Sequence, residues 1–280
     1  MQNNCVFLCV FFQLPITEGE WLSIADEFMK EWQFPNCLGA IDGKLVHVQR
    51  PTKCGAQYFS YKRTFSVNMM AVVNAHYEFV YVTVGAQGSA NDAAVFNASS
   101  FSKALENVSN PLAIPPARCL PNIDIAALMV FVADDAYPLR CNIMKPFSSR
   151  GLSTSERIFN YRLSTARRMV ENAFGILVSR FRILRDGMQL QPDTVSHVVL
   201  ACCVLHNFLR RKVNSAARSH SVGPQTSEAT QTVDFVNHVP RVIGAHYNAS
   251  AKAVRDKLAG YFVNQGQITF RWKHANIACC

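Results

Sequence analysis

The chain is predicted to fold as an α/β domain, a mixed sheet flanked by helices, on three observations. Residues 65–75 and 79–84 are two runs rich in Val, Phe and Tyr, joined through the short Asn74-Ala-His-Tyr77 segment, which reads as a hairpin. Residues 126–133 are continuously apolar, the pattern of a central strand buried on both faces. From residue 155 the spacing turns helical, with Val170, Phe174, Leu177, Phe181 and Leu184 forming one apolar stripe. Strands interleaved with and followed by helices fit a sheet covered on both faces.

The elements follow in order. Trp21, Ile24, Ala25, Phe28 and Trp32 recur at helical spacing and predict a helix over 18–34, stopped by Pro35. Residues 37–49 read as a strand, and Pro51 and Gly55 mark the loop after it. After the hairpin, Gly85 and Gly88 break the pattern and a helix is predicted over 92–106. Pro111, Pro115, Pro116 and Pro121 mark a crossing loop into the 126–133 strand. Beyond the long helix, a second apolar helix is predicted over 194–209, ending in Arg210-Arg-Lys212. Residues 215–232 are polar and read as a linker, and 249–262 as a last amphipathic helix. The organisation predicted is a lead-in over 1–36, the α/β domain over 37–212, a flexible linker over 213–240 and a terminal helix and tail over 241–280.

Hydrophobic residues make up 49% of the 280, too many for a disordered chain. The net charge of +9 favours an anionic partner, nucleic acid first, against the alternative of an ordinary basic protein. The ten cysteines are scattered without zinc-site spacing and read as free thiols in a reducing compartment. Cys279-Cys280 reads as a lipidation site or a chance pair. The apolar stretch over 5–12 is shorter than the ~20 residues a membrane helix needs and lacks the basic flank of a signal peptide. It reads as a ragged start or an edge segment on the core, and no membrane partner is expected.

Three acids carry the chemical reading. Asp42 in Cys37-Leu-Gly-Ala-Ile-Asp-Gly43 and Asp134 in Val130-Phe-Val-Ala-Asp-Asp-Ala-Tyr-Pro138 end apolar runs; Glu171 sits on a helix flanked by arginines. A carboxylate at the end of a buried strand is costly unless it is paired or holds a metal. A pair of divalent cations about 3.5–4 Å apart, the arrangement that hydrolyses phosphodiesters, needs several converging carboxylates. Gly175, one turn beyond Glu171, removes bulk and permits a close approach. Asp92 follows Gly88-Ser-Ala-Asn91 and reads first as a helix cap, second as support for the acids. Asp135 points to the opposite side of its strand and is a further supporting candidate.

Basic residues surround them. Residues 157–185 hold Arg157, Arg162, Arg167, Arg168, Arg180, Arg182 and Arg185 against Glu171 as the single acid. This reads as DNA-backbone contact, led by Arg162, Arg167, Arg168 and Arg180, or as a solvated face whose stems cover apolar surface. Tyr58, Tyr61 and Lys62 lie in the loop after the first strand, placed to stack on a base and touch phosphate or to pack on their own scaffold. His206, inside an apolar helix, reads as a core histidine ahead of a catalytic base.

Seven segments together resemble the nuclease domain of PIF/Harbinger transposases and their domesticated relatives. They are Phe34-Pro-Asn-Cys-Leu-Gly-Ala-Ile-Asp-Gly-Lys44, Gly85-Ala-Gln-Gly-Ser-Ala-Asn-Asp92, Ala133-Asp-Asp-Ala-Tyr-Pro-Leu139, Asn160-Tyr-Arg-Leu-Ser164, Arg167-Arg-Met-Val-Glu-Asn-Ala-Phe-Gly175, Arg180-Phe-Arg-Ile-Leu184 and Leu205-His-Asn-Phe-Leu209. The resemblance implies an RNase H-like fold with a DDE triad of Asp42, Asp134 and Glu171, which would hold Mg²⁺ or Mn²⁺ and cleave DNA. It also implies a nuclear protein, with the cytoplasm as a second location, working with a separate Myb/SANT-like DNA-binding partner. The family's N-terminal DNA-binding region has no counterpart, since the match begins near Met1. The chain departs from the family at Leu45, usually polar and often His, at Asn74, often Asp, and at Ser60, often Asn. The alternative is a domesticated, non-catalytic DNA- or protein-binding module on the same fold.

Overall fold

The computed structural model describes residues 14–51, 56–148, 150–221 and 247–267. Helix α1 (Glu18–Trp32) opens on a capping box, in which the Thr17 hydroxyl accepts from Glu20 N and the Glu20 carboxylate accepts from Thr17 N. It buries Trp21, Ile24, Ala25 and Phe28, and ends where Gln33 turns left-handed at φ 55°. The end falls two residues short of the expectation, because Pro35 disfavours helical backbone at Phe34.

Strands β1 (Cys37–His47), β2 (Ser66–Val73) and β3 (Phe79–Gln87) form an antiparallel meander. The single helix expected next is two, α2 (Asp92–Ala98) and α3 (Ser100–Glu106). Ser99 breaks it: its backbone is extended and its hydroxyl accepts from Ser102 N at 3.1 Å, capping α3.

The 126–133 run is also divided. Ala126–Ala127 (β5) pairs with Arg118–Cys119 (β4) in a separate two-stranded sheet, and only Val130–Val132 (β6) joins the main one. Buried Asn36 separates them. Its amide donates to Ala127 O at 2.9 Å and Arg118 O at 3.0 Å, while its own carbonyl accepts from Val130 N at 2.9 Å. A short strand invisible in the sequence pattern, β7 (Ile143–Met144), follows.

The main sheet has five strands in the order β3-β2-β1-β6-β7, with β6 parallel to β1 and β7 parallel to β6. Flanked by helices, this is the RNase H-like arrangement. Helix α4 (Thr154–Arg180) buries one side, Ile158 through Leu177. A 3₁₀ turn (Arg182–Leu184) leads to α5 (Pro192–Ser221) and then α6 (Tyr247–Val263). Helix α5 runs through Ser221 and so enters the segment expected to be a linker, of which residues 222–240 lie outside the described residues.

Helix α5 also covers the outer edge of β3. The Asn207 side chain donates to Phe79 O and accepts from Phe79 N, both at 2.8 Å, as a neighbouring strand would. His206 Nε2 meets Tyr77 O at 2.8 Å, and burial lowers the imidazole pKa. The Leu205-His-Asn-Phe-Leu209 motif is therefore an edge clamp, and His206 is a core residue.

Among the described residues no helix is long and apolar enough to cross a membrane. Among the described cysteines, Cys37, Cys119, Cys202 and Cys203 are free thiols. Residues 5–12, Cys54 and the Cys279-Cys280 pair lie outside the described residues.

Candidate metal centre

The β1–β6 register builds the first half of the site. Ala40 stands opposite Val132 on parallel strands, so Asp42 and Asp134, each two residues further on, come out level on the same face. Both are held locally: Asp42 Oδ1 accepts from Gly43 N at 2.9 Å and Asp134 Oδ1 from Ala136 N at 2.9 Å.

The third carboxylate of the cluster is Asp92. It is not the helix cap. Asn91 caps α2, its side chain accepting from Ala94 N at 2.8 Å, and this leaves the Asp92 carboxylate free to turn toward the sheet. Buried Asn68 of β2 receives it, donating to Ala90 O at 3.2 Å and to Asp92 Oδ1 at 3.4 Å. Gly43 makes the room, since a Cβ there would lie 2.3 Å from Asp92 Oδ1. Carboxylate oxygens of Asp42, Asp92 and Asp134 all lie within 4.8 Å of one another.

Glu171 stays outside that group, half-exposed on α4. Arg167 ties it to the cluster: Nη2 lies 2.5 Å from Glu171 Oε1 and Nη1 3.6 Å from Asp42 Oδ2. No close approach occurs at Gly175, where an added Cβ would meet nothing within 4 Å.

Burial is the main force on Asp42 and Asp92. It pushes Asp42 up to about 6, against the pull of Arg167 and the Gly43 N–H, and Asp134 and Asp92 add to the rise. Burial raises Asp92 too, against the hydrogen bond from Asn68. Asp42 therefore favours its protonated form between its ordinary value of 3.8 and about 6. The stability gained by burying it neutral is complete below that window and lost as pH rises through it. Cation affinity has the opposite sign, because only the ionised carboxylate is a ligand. Mn²⁺ affinity measured by calorimetry is expected to climb with pH up to about 6 and level off above it. A flat profile across this range would rule Asp42 out as a ligand.

The surroundings suit a hard cation with oxygen ligands. Tyr137 is buried, its hydroxyl has no partner, and the charges of Asp92, Asp42 and Asp134 all reach it. Asn68 Oδ1 is likewise buried and unpartnered. Such orphans beside three carboxylates fit waters carried by a divalent ion.

The remaining candidates divide. Asp135 faces away, bonded to Lys145 at 3.0 Å. Arg162 is buried and unsuited to DNA: its guanidinium donates to Gly266 O and Gln33 O and stacks 4.5 Å over Phe262, joining α4 to the ends of α1 and α6. Arg168, Arg180 and Lys62 are exposed. Sequence reasoning did not single out Asn68 or Tyr137. Asn68 depends on the β1–β2 register, which pairs it with Leu45.

The profile of the DDE superfamily endonuclease family matches residues 41–207, more than half the chain. The chain belongs to that family. Among relatives of this DDE member, the "Protein ALP1-like" of Arabidopsis thaliana is 28% identical over 68% of the chain and 48% of its own length. The Homo sapiens protein named "Putative nuclease HARBI1" is 27% identical over 71% of the chain and 53% of its own. The DDE chain thus spans about half the length of the curated relatives it matches. No solved structure gives a significant match.

Proposed function

We propose that this chain is a metal-dependent DNA endonuclease of the Harbinger-derived type. The convergence of Asp42, Asp92 and Asp134 beside the unpartnered Tyr137 hydroxyl carries the reading. Mg²⁺ or Mn²⁺, when bound, supplies charge neutralisation and a water acidic enough to attack a phosphodiester. Asp42, Asp134 and Asp92 would hold the cations. Glu171 completes the set when its Arg167 partner is released. Arg167 then faces the scissile phosphate, for which a guanidinium is a bidentate donor. Arg168, Arg180 and Lys62 hold the DNA backbone, which positions the duplex without reading its sequence. We assign the activity to the nucleus, with a Myb/SANT-like partner supplying target recognition.

The test is calorimetric titration of Mn²⁺ into the wild type and Asp134→Asn, with nicking of supercoiled plasmid in parallel. Saturable binding and nicking, both lost in the variant, support the reading. Absence of saturable binding in the wild type, with and without DNA, would overturn it. It would favour the non-catalytic module, for which one observation speaks: Arg167 is already paired with both Asp42 and Glu171.

A further inference from the structure

We propose that Tyr61 is a stacking platform for an unpaired nucleobase beside the strand being cut, an inference that rests on the endonuclease reading. Tyr61 is 83% exposed in a protein that buries most of its large aromatic side chains. It sits at the tip of a closed hairpin. Ser60 N donates to Thr64 O at 2.9 Å, Arg63 N donates to Ser60 O at 2.9 Å, and Phe59 pairs with Phe65. Tyr61, Lys62 and Arg63 form a three-residue loop whose last position, Arg63 at φ 58°, is left-handed as that loop type requires.

The base of the hairpin is stiff. The Ser60 hydroxyl donates to Thr64 O at 2.9 Å, and the Phe59 and Phe65 rings meet edge-on with centroids 5.3 Å apart. Arg50 lies 5.7 Å over the Phe65 ring. Tyr61 is thus presented on a fixed support, and among the described residues its ring contact is the Lys62 ammonium.

The same support leads to the acids. Ser66 N donates to Tyr58 O at 2.8 Å and Ser89 N to Gln57 O at 3.2 Å. At Gly88 the backbones touch: an added Cβ would lie 2.4 Å from Ser66 O and 2.7 Å from Tyr58 O. Four residues after Gly88 comes Asp92, so hairpin and cluster share one mount. Lys62, with its ammonium 5.6 Å over the Tyr61 ring, also lies near enough to pull the Asp92 carboxyl down.

An exposed ring with a lysine ammonium over one face, mounted beside the proposed phosphodiester-cleaving centre, matches a base stacked on the other face with its phosphate near the ammonium. A fully paired duplex hides base faces, so the platform discriminates for an unpaired base. Aromatic stacking of this kind contributes roughly 5- to 150-fold in affinity.

The experiment measures binding by anisotropy in Ca²⁺, with the full chain and two DNAs. One is a paired duplex, the other the same duplex with a single unpaired 2-aminopurine, whose fluorescence also reports stacking. The wild type is expected to prefer the second DNA and quench the probe. Tyr61→Ala should lose the preference and the quenching but keep its duplex affinity, and Tyr61→Phe should keep both. Unchanged preference and quenching in Tyr61→Ala overturn the proposal and leave the endonuclease reading intact. A wild type that binds neither DNA overturns both.

Discussion

Asp92→Asn is expected to lower cleavage by more than about 100-fold, and Asp42→Asn and Asp134→Asn are expected to do the same, because losing a ligand exceeds the 10–100-fold cost of losing a ligand's hydrogen-bond partner. Asparagine keeps the size of the side chain and still meets Asn68, so the change removes charge with little change of shape. Asp42 of β1, Asp134 just after β6 and Asp92 at the start of α2 form the preassembled part of the site, with oxygens within 4.8 Å of one another. Asp92→Asn should therefore weaken the first Mn²⁺ equivalent in calorimetry. Glu171→Gln should leave that equivalent in place and weaken the second, because Glu171 must first part from Arg167. Wild-type cleavage by Asp92→Asn would reduce Asp92 to a packing role and return the site to Asp42, Asp134 and Glu171 alone.

Asn207→Ala is expected to be the most damaging single change for stability. It leaves both polar backbone groups of Phe79 buried without their present partner, at about 1–3 kcal/mol each. The sum, about 2–6 kcal/mol, corresponds to a Tm lower by roughly 5–20 °C in a domain of this size. Thermal unfolding followed by circular dichroism measures it, with half-exposed Phe208→Ala as the control expected to change little. Equal melting of Asn207→Ala and wild type would show that the β3 edge does not depend on the clamp.

Much of this was legible in the sequence, and the losses have definite causes. Asp42 and Asp134 were legible as candidates because each closes an apolar run; their level placement comes from the parallel β1–β6 register, which apolarity does not report. Strands β1 to β3 and the long covering helix followed from the apolar pattern. Asp92 was misplaced because the choice of cap between two adjacent residues is made by backbone geometry, and because the room at Gly43 and the amide of Asn68 come from other strands. The 126–133 run looked continuous because apolarity reports burial, not pairing partner; Asn36, ninety residues away, divides it. Arg162 looked like its neighbours in charge, yet its place on the buried side of α4 turns it into a clamp.

The guanidinium of Arg167, shared by Asp42 and Glu171, gives the protein a counterion of its own. Being covalently tethered, it is present at an effective concentration that dilute free ions do not reach. Folding of the acidic cluster is thereby uncoupled from the cation supply, and a monovalent ion gains little by displacing it. Only an ion that offers two charges and several coordination sites at once gains enough from all the carboxylates to do so. One tethered charge thus offsets part of the cluster's negative charge, and under the proposed endonuclease reading cation concentration becomes the setting that arms the site.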